Sequence, residues 1–541
     1  MNTLLLGLCL CMPIIQSGGG NTGGGNSGGG NSGGGGGGGG DLLTVAEQTD
    51  YHKTARYTEV IDLLDRIEAQ SQIMRRGELG VTNEGRSIPL VILANPPVAT
   101  AEQAKASGKA IVFAFGNIHA GEVCGKEALL MLTRELALQR NHPLFEDLII
   151  VFAPIYNADG NERMAHDNRR GQNGPDEMGQ RPNAQGLDLN RDYIKLESPE
   201  ARALVRFFTE WDPHITIDTH TTNGSHHRYT LTYDYPLNPS GHPAPIEFIR
   251  DQLLPEVANR VREYHGYEMF FYGNFNRDRT TWTTYSAQPR FGGPYQGLRG
   301  QMAILSEAYS YASFKDRVLC TREFVREILN YAAENREQII AVHTQAAQET
   351  TAAGENPQPD DLVGLRHRPA AYSQPVIIKG FVEEVGEDGK RRPTEQEKDY
   401  PVVHLGRFEP TLSVRRPYAY ILPRGLETIV EKLRQHGIKV EPYEGEGLVE
   451  VYTIEKINRR ERAFQGHQIV TLDVHSDLLG QQFMEGSWIV RTAQPLGTLA
   501  VYLLEPESED GLAAWNFFDE HVSQGGVFPV LRVRSARDLS Q

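Results

Sequence analysis

The chain has 541 residues, too many for a single hydrophobic core, so two or three domains are expected. A hydrophobic fraction of 39% and an aromatic fraction of 9% are those of a soluble globular protein. A net charge of −16 argues against nucleic acid or an anionic membrane surface as the main partner.

In chain order, Leu4 to Ile15 is an apolar run of signal-peptide length, too short to span a bilayer and lacking a basic n-region. Residues 1–16 therefore read as a leader, and 17–40, almost wholly Gly with Asn, Ser and Thr, as a flexible tether. Leader, cysteine and tether together resemble a bacterial lipoprotein, with Cys9 or Cys11 as the lipidated residue, although Leu8 or Leu10 stands where a small residue is expected. Export to a secreted or cell-envelope location of bacterial type is the expectation, with an N-terminal lipid anchor as the one route to a membrane. Beyond the leader only Cys124 and Cys320 remain. They form neither a disulfide framework nor a thiolate zinc site, and Cys124, inside an apolar helix, reads as a small buried hydrophobe.

Residues 41 to about 105 form an entry segment, with a helix over Tyr57–Gln72 and a strand at Leu90–Leu93. Ala110–Gly116 is a buried strand that runs into a Gly-punctuated loop carrying His119 and Glu122, followed by a helix from Val123 to about Gln139. Strands at Leu148–Phe152, His214–Asp218 and Met302–Leu305 alternate with helices at Pro199–Trp211, Ile246–Tyr264 and Thr321–Gln348. That alternation predicts an α/β sheet covered by helices on both faces over residues 41–350. Residues 354–361 have linker composition. From 362 to 541 short alternating runs at Val376–Ile378, Gly447–Val451, His467–Thr471 and Leu499–Tyr502, interrupted by a helix over Gly425–His436, predict a second, mostly-β domain. Its scattered histidines read as surface or structural, and the part before Asp361 is expected to fold and to keep its activity when the rest is deleted.

Imidazole and carboxylate are the ligands a catalytic zinc takes, and His119-x-x-Glu122 closes a strand where open α/β sheets place their chemistry. A third ligand must come from elsewhere. The strand His214–His220 carries a histidine at each end, ~20 Å apart at ~3.3 Å per residue, so one ion can take only one of them. The carboxyl end of the strand selects His220. Between Asn161 and Asp192 lies a polar, Gly-rich loop dense in arginine (Arg163, Arg169, Arg170, Arg181 and Arg191). Forked guanidiniums suit a carboxylate ligand or a developing oxyanion. Glu307 ends a third apolar strand and suits a general base for a water whose pKa zinc lowers.

His119-x-x-Glu122, Asp188-x-Asn190-Arg191, His220 and Glu307, in this order, resemble the zinc carboxypeptidases of the carboxypeptidase A and B type, over about Tyr51 to Gln348. The resemblance implies a mixed eight-stranded sheet flanked by helices, one zinc ion per chain, and removal of the C-terminal residue from a peptide or protein substrate with a free C-terminus. It implies His119, Glu122 and His220 as zinc ligands, Glu307 as the base, Asn190 and Arg191 as the grip on the terminal carboxylate, and Asp188 as the carboxylate that orients His119. The arginine of the transition state falls on Arg169, with Arg163 and Arg170 as alternatives. The tyrosine that caps the substrate falls on Tyr285 or on Tyr295, in the segment Gly-Gly-Pro-Tyr-Gln-Gly-Leu-Arg, where Arg299 could also reach the substrate or pair with a structural carboxylate. His166 stands where an arginine might have been expected, Gln172–Gln185 reads as an insertion, and no zymogen-like activation segment is apparent. Two rival functions accompany the primary one: an amidase or deacylase acting on a cell-wall or other non-peptide amide, and an inactive member acting as a binding protein. The second predicts a missing base or ligand, and none is missing.

Overall fold

Ten strands built largely from β-branched and aromatic residues lie in the first part of the chain. They are Met74–Val81 (β1), Ser87–Leu93 (β2), Ala110–Gly116 (β3), Leu148–Ala153 (β4), Ile215–Thr222 (β5), Leu231–Asp234 (β6), Met269–Phe271 (β7), Asn274–Phe275 (β8), Thr281–Thr283 (β9) and Met302–Tyr309 (β10). The structure is a computed structural model and describes residues 42–387, 389 and 391–540. The expected leader, its cysteines Cys9 and Cys11, and the Gly-rich tether lie outside the described residues. Eight of the strands make one mixed sheet in the order β1-β2-β4-β3-β5-β10-β6-β7. Its centre (β4, β3, β5 and β10) is parallel, β1, β2 and β6 join antiparallel, and the edge strand β7 runs parallel to β6.

Every residue of β3 and β4 is buried, as central parallel strands covered on both faces must be. Alternate residues supply two different cores. Ile111, Phe113 and Phe115 join Leu204, Phe207 and Phe208 of the helix Pro199–Trp211 on one face. Ala110, Val112 and Ala114 join Leu129, Leu130 and Leu132 of the helix Cys124–Ala137, with Phe324 and Ile328, on the other. The expected α/β sheet with helices on both faces is therefore observed.

The elements differ from expectation in four places. The single helix expected over Thr321–Gln348 is two, Phe314–Glu334 and Arg336–Glu355. They break at Asn335 (φ −117°, ψ 22°), whose side-chain amide donates to Tyr331 O at 2.9 Å and competes with the helical pattern. Gly354, expected to open a linker, closes the second helix, where a Cβ would lie 2.2 Å from the backbone of Thr492. The helix expected over Ile246–Tyr264 is divided by a π-helical turn at Ile249–Leu253, just before Pro255, which has no N–H to give. Leu499–Tyr502, expected as a strand, belongs to the helix Gly497–Leu504, all of it buried; a run that is apolar on every side carries no period to read.

The remaining strands are Leu362–Ala370 (β11), Val376–Val385 (β12), Arg391–Leu405 (β13), Arg407–Arg415 (β14), Ala419–Leu422 (β15), Glu441–Arg459 (β16), Val470–Arg491 (β17), Leu531–Val533 (β18) and Leu539–Ser540 (β19). A five-stranded sheet runs β17-β15-β18-β16-β19, and β12 and β13 share a sheet with β9 and β8 of the first part. The core on the β3 face continues through Leu426, Ile429 and Leu433 to Leu499, Tyr502 and Trp515, and residues 42–541 fall in one compact unit. Among the described residues, no helix is long and apolar enough to cross a membrane.

Candidate metal centre

Three neighbouring parallel strands, β3, β5 and β10, deliver the site at their carboxyl ends. β3 turns out of the sheet at Asn117, whose φ is +68°, and the Asn117 amide holds the turn by donating to Ala120 O at 3.1 Å. Glu122 N donates to His119 O at 2.8 Å, and this tight loop turns both side chains inward, His119 Nδ1 lying 3.0 Å from Glu122 Oε1. From the end of β5, His220 Nδ1 lies 3.0 Å from Glu122 Oε2. One ligand atom from each of His119, Glu122 and His220 lies within 4.8 Å of the others, and all three residues are buried. Glu307 on β10 is in register with His220 on β5, so the two side chains leave the sheet on one face.

Each imidazole presents Nδ1 to the centre and uses Nε2 elsewhere. His119 Nε2 is 3.0 Å from Asp188 Oδ1, and His220 Nε2 is 2.9 Å from Asp218 Oδ2. Asp188 itself is held by Asn190 N at 3.0 Å and by Arg181 Nε at 2.9 Å.

The centre opens into a cavity of about 420 Å³ lined on its polar side by Arg169, Arg181, Asn190 and Arg191, and closed by Tyr272, Tyr285 and Phe291. Arg169 Nη2 reaches Glu122 Oε1 at 2.9 Å and Thr221 O at 3.0 Å. It passes so close over Gly121 that a Cβ there would lie 2.6 Å from Arg169 Cγ. The Asn190 oxygen accepts from Gly292 N at 3.1 Å. Arg191 stacks on Phe291 with its guanidinium carbon 4.0 Å from the ring centre and forms no ion pair among the described residues.

The electrostatics favour a bound cation. Burial pushes the Glu307 carboxyl up to about 8, with nearby Glu122 and Asp218 adding to the rise and His220 and Arg169 opposing it; its Oε2 has no hydrogen-bond partner among the described residues. Burial also acts to raise Glu122, but His119, Arg169 and His220 outweigh it and hold this carboxyl well below its usual range. For His220, burial opposes charge, yet Asp218 and Glu122 raise its pKa well above the ordinary imidazole value. Carboxylates thus converge and draw positive charge from imidazole. Two neutral imidazole nitrogens and one carboxylate are the donor set of a catalytic zinc, and the ion's charge favours the ionised form of Glu307 that burial disfavours. The residues fit zinc.

Some expected residues lie elsewhere. Tyr295 is fully buried outside the cavity, its hydroxyl 2.8 Å from His436 Nδ1, and Arg299 donates to His436 O at 2.8 Å and to Thr209 Oγ1 at 3.1 Å. Both serve packing between the helix Gly292–Leu298 and the C-terminal part, which corrects the expectation that they bind substrate. Arg163 pairs with Glu84 and Arg170 with Asp167, both at exposed positions, so of the candidate arginines Arg169 is the one in the cavity. His214, at the opposite end of the strand, accepts from Ile111 N at 3.0 Å, and burial lowers its pKa to about 4. Sequence reading missed the bridging of Arg181 between Asp188 and Glu122 (2.9 and 3.7 Å), the contact of Asp218, and the aromatic wall of Tyr272 and Phe291. Only Asp218 carried a signal, standing two residues before His220 on one strand.

Residues 60–289 match the family model described as "Zinc carboxypeptidase". This segment belongs to the zinc carboxypeptidase family. The match contains His119, Glu122, Asp188, Asn190, Arg191 and His220, whereas Glu307 lies beyond it and owes its place to β10. The chain is 24% identical over 477 residues to a protein of Trichophyton rubrum named "Carboxypeptidase 2", covering 84% of this chain and 81% of that one. It is 28% identical over 193 residues to mouse "Carboxypeptidase D", covering 31% of this chain and 14% of that one. The crystal structure of the carboxypeptidase A from Helicoverpa armigera aligns with a TM-score of 0.40 at 16% identity, over 52% of this chain and 74% of that chain. The matched segment is that of a metallocarboxypeptidase-type hydrolase, and its strands lie in the mixed eight-stranded sheet.

Proposed function

We infer that the protein is a zinc exopeptidase that removes the C-terminal residue of a peptide or protein with a free carboxyl end. The observation that carries this reading is the pairing of the buried His119, Glu122 and His220 cluster with Arg191, a partly buried guanidinium that has no counter-ion among the described residues and faces the same cavity. A terminal carboxylate supplies the missing anion, and the planar fork held over Phe291 suits it. Asn190, fixed by Gly292 N, contributes an amide beside it. When bound, zinc supplies Lewis acidity that polarises the scissile carbonyl and lowers the pKa of a water. Glu307 takes the proton of the attacking water at its unpartnered Oε2 and passes it to the leaving amine. Arg169, pinned by Glu122 and Thr221 O, faces the developing oxyanion, and Tyr285 lies over the bound terminal residue. Residues 41–350 act as the catalytic part and 362–541 as an accessory part packed on it. The apolar start of the chain supports export, with lipidation at Cys9 or Cys11 as the membrane attachment.

The test is a peptide library digested by the zinc-reconstituted chain and read by mass spectrometry. Stepwise loss of single C-terminal residues, with refusal of C-terminally amidated peptides, is the expected result. Equal hydrolysis of amidated peptides would transfer the chain to the amidase reading, and no zinc-dependent hydrolysis would leave it a binding protein.

A further inference from the structure

We propose that Asp218 is the positioning carboxylate for His220, the counterpart on β5 of what Asp188 does for His119, and that zinc affinity depends on it. An aspartate in the middle of a buried strand needs a reason. Asp218 is only 6% exposed and stands between Phe115 of β3 and Leu305 of β10. Removing a carboxylate from water is costly unless it gains a partner. Its Oδ2 lies 2.9 Å from His220 Nε2, and its Oδ1 has no hydrogen-bond partner among the described residues. The side chain beside it is largely apolar, with Tyr285, Phe291, Ala303, Ile304 and Leu305 lining the same small space. Among the described residues, no donor other than His220 reaches the carboxylate.

Strand geometry explains the contact, since residues two apart on a strand project from one face. The other neighbour of His220 Nε2 is the Asn190 amide nitrogen at 3.4 Å. The Asn190 oxygen is committed to Gly292 N at 3.1 Å, so the group facing His220 is NH₂, a donor. A protonated Nε2 therefore has one acceptor, Asp218. The 2.9 Å approach of the Asp218 carboxylate restrains the ring and leaves the Nδ1 lone pair for the centre, the arrangement that metal-binding imidazoles require. The two aspartates differ in their support: Asp188 receives Asn190 N and Arg181 Nε besides His119, whereas among the described residues Asp218 has His220 as its one close charged neighbour.

This inference rests on the reading of His119, Glu122 and His220 as zinc ligands, and the experiment separates the two. Zinc dissociation constants of the full chain, Asp218→Ala and Asp218→Asn are measured by competition with a chromophoric chelator. Absorption spectra of the cobalt-substituted forms and melting of the metal-free forms accompany them. Loss of such a contact weakens metal binding by about 10- to 100-fold. That loss is expected for Asp218→Ala, with a shifted cobalt spectrum, and Asp218→Asn, which keeps an acceptor without its charge, should fall between. A merely structural role would lower melting and leave the affinity of the folded protein and the cobalt spectrum unmoved, which would overturn the proposal. If Asp218→Ala does not fold, Asp218→Asn decides, and an affinity equal to that of the unaltered chain overturns it. Failure of the unaltered chain to bind zinc would instead refute the ligand reading itself.

Discussion

Glu307 is the residue on which hydrolysis turns. Its carboxyl is buried and pushed up to about 8, its Oε2 has no partner among the described residues, and it stands beside His220 without being one of the clustered donors. Glu307→Gln keeps the shape and removes the basic oxygen. It should lower kcat by about 10²- to 10⁴-fold while zinc affinity stays unchanged, which steady-state kinetics and chelator competition would check; near-normal kcat would remove Glu307 from the role of base. Tyr295 calls for the opposite outcome. His436 Nε2 lies 3.1 Å from Ile194 O, an acceptor only, so Nε2 carries the proton and Nδ1 accepts from the Tyr295 hydroxyl at 2.8 Å. Tyr295→Phe leaves that buried acceptor unpaired, and should cost about 1–3 kcal/mol of stability with KM unchanged. A raised KM at unaltered stability would return Tyr295 to the substrate. His119, Glu122, His220 and Glu307 were legible because each sits at a strand end, where sheet geometry marks chemistry. Tyr295 misled because its glycines look like a binding loop. In fact Gly292 makes room for packing: a Cβ there would lie 2.8 Å from the Tyr193 ring.

At the scale of elements, β13 shows how the C-terminal strands attach beside the cavity. It pairs in parallel with β9, His404 opposite Trp282, and the His404 ring stands among Tyr372, Phe270 and Phe271 with centroids 5.0 to 6.2 Å away. The packing is close enough that a Cβ on Gly406 would lie 2.3 Å from His404 Nε2. Burial alone lowers the His404 pKa to about 4, against about 6.5 in an unfolded chain. Between those values the unfolded chain binds a proton that the fold refuses, so stability rises with pH across this window and is lost as pH falls through it. The full difference is about 3 kcal/mol. His404→Gln removes the titrating group, so its stability should fall less than that of the unaltered chain between pH 6.5 and 4. Denaturant titrations at several pH values would show this, and parallel curves would mean that His404 is already charged in the fold. The pairing was not readable in sequence, because β9 is three residues long and its partners, Val403 to Leu405 of β13, stand far along the chain from Thr281 to Thr283. A cross-chain pairing leaves no local period. β3 and β4, buried along their whole length, were read because their apolar runs are continuous.

Across the whole molecule, the C-terminal part braces the site from behind. The N–H of Asp188, which orients His119, donates to Gln465 Oε1 at 2.9 Å. Arg290, next to the Phe291 on which Arg191 stacks, is 2.7 Å from Asp510, both buried. His467 Nε2 lies 2.7 Å from Glu197 Oε1, and Lys432 donates to Lys195 O at 2.6 Å. The core on the β3 face includes Leu204 and Phe208 together with Ile429, Leu433 and Trp515. A chain ending at Asp361 would therefore expose that face. Each large apolar side chain returned to water costs about 1.5–3 kcal/mol, against a total stability of about 5–15 kcal/mol for a typical domain. It would also remove the counter-ion of Arg290. Truncation after Asp361 should consequently yield a chain without a cooperative melting transition and without hydrolysis of even a small substrate, where linker composition alone suggested that activity would survive. Circular dichroism melting and a zinc-supplemented assay of the truncated chain would decide. A sharp transition with measurable hydrolysis would mean that the sheet closes its own core, and that the contacts of Gln465 and Asp510 follow from the fold of residues 42–361 without contributing to it.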